Sequence, residues 1–261
     1  MIDFDAALAG FAALDEDALA RPWRWREGTL NVREALYRSL EDAQEACVSA
    51  AAGPHPESRR ILALAQRAFG DLRGLLTGLP TELLDRPPGA DEWPVRETLR
   101  HMLSVERRYA VQTRYAVERS GAEPVRIPED RLPTTAPGEV SGDVGAVLAR
   151  LSQARAETNE RLGALAPAAL TRPSVWVKLE IDVRFRLHRF AAHVVEHTIQ
   201  CEKTLAALGW RPTEGRRIAR QISAVLGEVE GLGALTEARA VEARLAERFG
   251  SVNADVSPAG A

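Results

Sequence analysis

A nine-residue pattern occurs three times in this chain, at 14–22, 79–87 and 165–173: leucine, four residues, a second leucine, one residue, arginine and proline. After each copy come a tryptophan and then a Val-Arg pair that begins an amphipathic stretch. These markers are Trp25 with Val32-Arg33, Trp93 with Val95-Arg96, and Trp176 with Val183-Arg184. The proline ends the preceding helix because it cannot donate a backbone N–H and restricts the residue before it. Each copy therefore predicts one unit of helix, connector and helix.

The region 57–210 carries the second and third copies. Its apolar periodicity predicts long helices near 57–79, 94–119, 142–165 and 182–208. Two helical hairpins of this kind are the usual content of a four-helix bundle. The intervening segment 120–141 contains four prolines, so we expect it to be a non-helical crossover connection. The alternating apolar residues at 175–181 are compatible with a short extended segment or with a packed connector.

The parts of the chain outside this bundle are also predicted to be mostly helical. Residues 1–52 hold the first copy of the pattern and form an N-terminal helical hairpin unit. Residues 211–250 are predicted to contain two further helices, near 214–231 and 234–249. The segment 251–261 has no periodicity, and we expect a mobile tail there. The fold class is therefore all-α, and the sequence leaves open whether the terminal helices pack on each other, on the bundle or on a second subunit.

Composition narrows the classes of function. The chain has 261 residues, is 45% apolar and carries a formal net charge of −3, with basic and acidic residues interleaved, so nucleic-acid binding is not expected. No apolar run is long enough to cross a bilayer. Cys47 and Cys201 lie far apart and the N-terminus does not resemble a signal segment. We therefore expect a reduced, cytoplasmic protein without membrane insertion.

Three histidines carry most of the functional information. His193 and His197 lie four residues apart on the apolar face of the predicted fourth helix, where two imidazoles can bind one ion. His101 lies at the edge of the apolar face of the predicted second helix and is the candidate third ligand. The alternative is a set of core histidines whose nitrogens are satisfied by ordinary hydrogen bonds.

A site of three imidazoles without a dedicated fourth protein ligand is typical of catalytic zinc, because it keeps one position for water or substrate. We expect a divalent ion, with zinc first and with nickel, iron or copper also compatible with imidazole ligands. Cys201 lies one turn from His197 and is either a fourth ligand that closes the site or a buried apolar cysteine. His188 lies off the apolar face of its helix, and His55 lies in a proline-flanked loop. Neither enters the proposed site.

Two glutamates are candidates for a catalytic role. Glu196 is adjacent to His197 and either accepts a hydrogen bond or a proton at the site or lies on a solvated helix face. Glu106 stands five residues after His101 and could bond a ligand imidazole, or pair with an arginine of its own helix. The segment 193–197 also matches H-x-x-E-H, the inverted zinc-protease pattern in which the glutamate activates water.

Two segments carry a resemblance to a known family. Residues 91–101, Asp-Glu-Trp-Pro-Val-Arg-Glu-Thr-Leu-Arg-His, and residues 193–200, His-Val-Val-Glu-His-Thr-Ile-Gln, resemble the second-helix and fourth-helix signatures of the DinB-like superfamily, also called YfiT-like. The resemblance covers about 57–210. It implies a four-helix bundle, often dimeric, with His101, His193 and His197 as the metal ligands. In the N-terminal copy Arg38 stands where His101 stands in the core, so that copy is expected to bind no metal.

The function implied by this resemblance is a metal-dependent transferase that activates a low-molecular-weight thiol, or water, for attack on a small substrate. A non-catalytic binding or assembly module is the alternative, and an H-x-x-E-H zinc hydrolase is a further one. The expected partners are a small-molecule thiol or other small substrate and a second copy of the chain. Val195 and Ile199 lie off the main apolar face of the fourth helix, and they provide a contact for the N-terminal unit or for a twin subunit.

Overall fold

The computed structural model describes residues 3–254, and it shows a mostly helical protein with two short β-hairpins. In chain order the elements are α1 (Phe4–Ala13), α2 (Glu16–Ala20), β1 (Pro22–Trp25), β2 (Gly28–Asn31), α3 (Val32–Ala51), α4 (Glu57–Leu76), α5 (Glu82–Asp85), α6 (Val95–Glu118), α7 (Val144–Leu162), α8 (Pro167–Leu170), β3 (Pro173–Trp176), β4 (Leu179–Asp182), α9 (Val183–Ala207), α10 (Glu214–Leu232) and α11 (Leu235–Ala254).

The central part of the fold is the predicted four-helix bundle, formed by α4, α6, α7 and α9. Each of these helices begins and ends within three residues of its predicted limits. Helix α9 packs against α4 and α6, and α7 packs against α6 and α4. Asp143 and Asp182 cap the N-termini of α7 and α9. Their side chains accept hydrogen bonds from the backbone N–H groups of Ala146 and Phe185, which would otherwise lack a partner.

The prolines of the crossover between α6 and α7 predict a non-helical segment, and the crossover indeed contains no long helix. It contains two short 3₁₀ turns, Glu129–Arg131 and Pro137–Val140. The guanidinium of Arg96 secures its end by donating to the carbonyl oxygens of Val140 at 2.5 Å and Gly142 at 2.9 Å. The arginine of the second Val-Arg pair therefore fixes where the third bundle helix begins.

The segment at 175–181 adopts the extended alternative. Strands β3 and β4 form an antiparallel hairpin, and β1 and β2 form an equivalent hairpin in the N-terminal unit. In both hairpins the first loop residue has positive φ, 55° at Arg26 and 56° at Val177. The backbone N–H of Val32 donates to the carbonyl of Arg21 just as that of Val183 donates to Arg172. The N-terminal unit therefore repeats the segment from α8 to α9.

The terminal helices pack on each other and form a second bundle of α1, α3, α10 and α11. Helix α10 packs on α3 and α1, and α11 also packs on α3 and α1. Its core contains the following buried side chains: Leu8, Phe11, Trp23, Leu36, Ile222, Val229, Val241 and Leu245. The expected N-terminal hairpin and C-terminal helices thus complete one structure, although they come from opposite ends of the chain.

The two bundles share an internal symmetry. In the central bundle Arg184 of α9 pairs with Glu57 at the start of α4, with Nε and Oε1 2.5 Å apart. In the terminal bundle Arg33 of α3 pairs in the same way with Glu214 at the start of α10, at 2.6 Å. Helix α3 therefore corresponds to α9 and α10 to α4. By their packing, α1 corresponds to α7 and α11 to α6.

Helices α4 and α10 join the bundles at very close approach. A Cβ atom on Gly70 would lie 2.1 Å from the carbonyl oxygen of Ser223, and one on Gly227 would lie 2.4 Å from the carbonyl oxygen of Gln66. Gly74 and Gly231 approach the facing backbone almost as closely. These glycines form a G-x-x-x-G pair on each helix, and only the absence of side chains lets the two backbones meet.

Helix α11 continues to Ala254, four residues into the segment 251–261 that was expected to be a mobile tail. Residues 255–261 of that segment lie outside the described residues. Within residues 3–254, no helix combines the length and the apolar character that a membrane span needs.

Candidate metal centre

The three predicted histidines converge at one point between α6 and α9. His101 projects from α6, and His193 and His197 project from successive turns of α9. Each ring offers one nitrogen, and these three atoms lie within 4.8 Å of one another. The Nε2 atoms of His101 and His193 are 3.3 Å apart. Two nitrogens bound to one tetrahedral zinc ion at about 2.05 Å would be separated by about 3.3 Å, so the residues fit such an ion.

The electrostatic environment favours neutral rings. His193 and His197 are buried, and His193 is only 7% exposed. Burial, together with the neighbouring imidazoles and Arg189, lowers the pKa of His193 to about 3. Partial burial and the neighbouring His197 also lower the pKa of His101. Because a metal ligand must be an unprotonated imidazole, these pKa values favour lone pairs that are available for a cation at neutral pH.

Gln200 determines which nitrogen of His197 faces the centre. Its side-chain Oε1 lies 2.8 Å from Nδ1 of His197 and accepts a hydrogen bond from it. An amide oxygen can only accept, so Nδ1 carries the proton, and in the neutral imidazole Nε2 is then the nitrogen with the lone pair. Sequence reasoning gave Gln200 no role, although its position three residues after His197 places it on the same side of α9. Gln200 therefore orients a candidate ligand in the way that residues around metal sites commonly do.

Aromatic rings enclose the centre on two sides. The ring of Trp93 lies 5.6 Å from that of His101, and the ring of Tyr109 lies 5.8 Å from that of His193. Trp93 is 43% exposed, and it borders a groove of about 670 Å³ beside the histidines. Glu196 and Gln200 also line this groove. The groove therefore adjoins residues that contact His101 and His197, and its surface is partly apolar and partly polar.

Cys201 is fully buried in the apolar core. Burial raises the pKa of its thiol to about 12, so the thiol is protonated at neutral pH. Within residues 3–254, the group of side chains that could hold a metal ion consists of the three histidines without Cys201. The geometry therefore favours the apolar alternative for Cys201 over a fourth ligand.

The two candidate glutamates occupy different environments. Glu196 has a side chain that is 63% exposed, and it faces Arg189 across 3.9 Å. Glu106 is buried and accepts hydrogen bonds from Arg155 Nη1 at 2.7 Å and from the Thr158 hydroxyl at 2.6 Å. Burial raises the pKa of Glu106, although Arg155 opposes this effect. Its partners lie on α7, so Glu106 bonds neither a ligand imidazole nor an arginine of its own helix, the two predicted alternatives.

Comparisons with known proteins identify a family and a similar solved structure. A family model described as the DinB superfamily matches residues 64–201, which is more than half of the chain and includes all three histidines. A similar solved structure is that of YfiT from Bacillus subtilis, which is described as a probable metal-dependent hydrolase with an unusual four-helix bundle topology. It is 14% identical, covers 61% of this chain and 93% of its own, and superposes with a TM-score of 0.48. None of the curated proteins matches the chain.

Proposed function

We propose that this chain, which belongs to the DinB superfamily, binds one divalent cation through His101, His193 and His197, with zinc as the preferred metal. The bound cation would activate a small-molecule thiol, or water, for transfer to a small substrate. The observation that carries the proposal is the convergence of three ring nitrogens within 4.8 Å. Three protein ligands leave one position for an exchangeable molecule, which is the pattern of a catalytic rather than a structural zinc site. When bound, such an ion lowers the pKa of a coordinated thiol or water and keeps it as an anion.

The residues of the chain supply the remaining functions. Gln200 keeps the Nε2 lone pair of His197 directed at the centre through its bond to Nδ1. Trp93 and Tyr109 cover the rings of His101 and His193 and reduce the access of bulk water. Glu196 lies at the edge of the groove with most of its carboxylate in solvent. We assign it the transfer of the released proton to water, and we assign Glu106 a structural role as the counter-charge of Arg155.

The alternatives are weighed by the same geometry. The inverted zinc-protease pattern at 193–197 uses a glutamate far downstream as its third ligand, whereas a histidine of α6 stands at the third position here. The three-histidine site is therefore favoured over an H-x-x-E-H hydrolase. A non-catalytic module would need neither an exchangeable position nor an open groove, although it would tolerate both.

Metal content tests the ligand set. Untagged protein is supplemented with zinc, nickel or iron, and the ions that remain bound after gel filtration are counted. We expect about one ion per chain for wild type and for His188→Ala, which removes an exposed histidine of the same helix. His193→Ala is expected to lose the ion while retaining its helical circular dichroism. Fewer than about 0.1 ion per wild-type chain would exclude the metal site, and full occupancy in His193→Ala would remove that residue from it.

Conjugation kinetics test the reaction. Zinc-loaded protein is incubated with monobromobimane and, in turn, with mycothiol, bacillithiol, glutathione and cysteine. We expect at least one thiol to react faster than in the uncatalysed control, and chelation of the metal should abolish the difference. Background rates with all four thiols, in a protein shown to bind metal, would favour the non-catalytic module.

A further inference from the structure

The N-terminal unit provides an internal reference for the metal-binding half. Its hairpin and α3 repeat β3, β4 and α9 at a constant offset, with Trp25 corresponding to Trp176 and Val32 to Val183. By the same offset Arg38 corresponds to Arg189, rather than to His101 as a count from the Val-Arg pairs alone indicates. Each half thus places an arginine on the same turn of its helix, near the tryptophan of its hairpin.

In the half without the histidines, this arginine is neutralised. Nη1 of Arg38 lies 2.6 Å from Oε2 of Glu41, and Nη2 lies 3.7 Å from Oε2 of Glu34. Asp42, which stands where α9 has His193, is paired with Arg248 of α11 at 2.7 Å. Arg38 and Asp42 are therefore both neutralised within the protein.

In the metal-binding half, the corresponding arginine lacks these partners. Phe185 and Ala192 occupy the positions of Glu34 and Glu41. In the part of the chain from 3 to 254, the carboxylate paired with Arg189 is that of Glu196, 3.9 Å away on an exposed side chain. The Nε of Arg189 is buried without a hydrogen-bond partner, as is that of Arg38, so the two arginines differ in their carboxylate partners. The guanidinium therefore keeps unused donor capacity and most of its charge.

The position of this cation relates it to the candidate metal centre. Arg189 precedes His193 by four residues, which is about one turn of helix, or 5.4 Å. Its guanidinium carbon lies 4.4 Å from the ring centre of Trp176, a stacking that fixes the side chain. The indole N–H of Trp176 donates to the hydroxyl of Tyr109 at 3.2 Å, and Tyr109 covers His193. Trp176 and Tyr109 thus form a continuous wall from the cation to the histidines.

We propose that Arg189, held by Trp176, binds the carboxylate of a substrate whose reacting atom lies at the three-histidine centre. This inference rests on the proposed function, because it takes the substrate to react there. A guanidinium suits a carboxylate because its donors are planar and can form two parallel charge-assisted hydrogen bonds. A substrate carboxylate has only the weakly held Glu196 to displace. The wall between Arg189 and His193 suits a compact acid in which a few bonds separate the carboxylate from the reacting atom.

The first experiment measures binding without metal, so that its result does not depend on the metal or on transfer. Metal-free full-length protein is titrated calorimetrically with benzoate and with benzamide, which differ in charge but not in shape. We expect wild type and Arg38→Gln to bind benzoate at least about tenfold more tightly than benzamide, Arg189→Lys to show a reduced preference, and Arg189→Gln to show none. Circular dichroism verifies folding of each variant.

Three results would overturn the proposal: no detectable benzoate binding, equal binding of the two probes by wild type, or an unchanged preference in Arg189→Gln. Each would leave Arg189 with only the role of holding the hairpin through Trp176, as Arg38 faces Trp25 in the other half. None of these results would bear on the metal content of the protein, which tests the proposed function separately.

The second experiment identifies which substrate carries the carboxylate. Zinc-loaded protein is assayed with 3-mercaptopropionate against 2-mercaptoethanol, and with iodoacetate against iodoacetamide. In each reaction a sulfur–carbon bond forms and the carbon–iodine bond breaks. Iodide leaves with the electron pair, and the thiol proton passes to solvent. Arg189→Gln should raise the KM of the anionic member of one pair and leave the KM of its neutral member unchanged. The affected pair identifies whether the thiol or the electrophile carries the carboxylate that Arg189 binds. Unchanged KM values for all four would overturn the proposal, whereas no conjugation by wild type would refute only the transfer function.

Discussion

The neutral state of His193 makes the stability of the metal-free protein depend on pH. In the folded chain burial and neighbouring charges lower the pKa of this imidazole to about 3. In the unfolded chain the same group titrates near about 6.5. Between these values the unfolded chain binds more protons than the folded one. The contribution of neutral His193 to the free energy of unfolding is therefore fully present above about pH 6.5 and is lost as the pH falls towards 3.

The size of the effect follows from the separation of the two pKa values. Each pH unit below the unfolded value costs about 1.4 kcal/mol for one imidazole that stays neutral in the fold. Between about pH 7 and about pH 4.5 the expected loss at His193 is therefore about 2.5 kcal/mol. His193 is only 7% exposed, so solvent screening reduces this value little. The lowered pKa of His101 adds a loss of the same sign.

Urea denaturation of chelator-treated protein at the two pH values measures this loss. Other groups also titrate in the interval, so the quantity to compare is the difference between wild type and His193→Gln, whose amide does not titrate. We expect the variant to lose about 2.5 kcal/mol less than wild type on acidification. His188→Gln, at an exposed position of the same helix, should behave as wild type. If His193→Gln loses as much stability as wild type, the argument from burial is refuted.

Three further predictions concern packing, the buried ion pair and assembly. Gly70→Ala places a Cβ 2.1 Å from a backbone oxygen of α10 and should lower the free energy of unfolding by about 1–3 kcal/mol in urea denaturation. The control Gly250→Ala lies in open space on α11 and should leave this free energy unchanged or raise it by up to about 1 kcal/mol. Glu106→Gln should cost about 3–5 kcal/mol because buried Arg155 loses its counter-charge, yet metal content should not fall; a fall would indicate a role at the centre. Val195 is 47% exposed on α9, and we propose it as a contact between two copies of the chain. Val195→Asp should then turn a dimer into a monomer by light scattering, and a monomeric wild type would contradict the contact.

The long helices and the site histidines could be predicted because their signals are local. Apolar residues recur with helical spacing in α4, α6, α7 and α9, and the Arg-Pro pairs mark where helical segments end. The spacing of His193 and His197 gives their common direction on any helix. His101 needed a tertiary assumption, namely that α6 and α9 are neighbours, and the resemblance to a known bundle supplied it.

The hairpins were harder to predict because their turns lack the usual residues. Two-residue hairpin loops with positive φ favour glycine, asparagine or aspartate, whereas these loops use Arg26-Glu27 and Val177-Lys178. A non-glycine residue has a steric cost at φ near 55°, and the paired strands and the helix that follows must offset it. The signal for a hairpin was therefore the repeat itself, because 22–31 and 173–182 occupy the same place in their units.

The contacts between distant segments had no local signal at all. Glu106 finds its partner Arg155 on another helix, 49 residues away, and nothing in the composition of α6 favours that arginine over one of its own. The packing of α4 on α10 was open for the same reason. Its trace in the sequence is the four-residue spacing of Gly70 and Gly74 and of Gly227 and Gly231, which has meaning only when the two helices are considered together.

The chain order gives the duplicated bundle a consequence that neither half has alone. The terminal bundle combines α1 and α3 with α10 and α11, so the whole half that contains the three histidines lies in the sequence between its two parts. Its two parts come from opposite ends of the chain, and α4 supplies the surface on which α10 packs. In turn, α10 of the terminal bundle covers the backbone of α4 at its glycines, which have no side chains to shield that backbone. The half without the histidines therefore has a structural role, because it provides within one chain a packing partner for α4. Val195 of α9 stays exposed, and we propose that this face of α9 contacts a second copy of the chain.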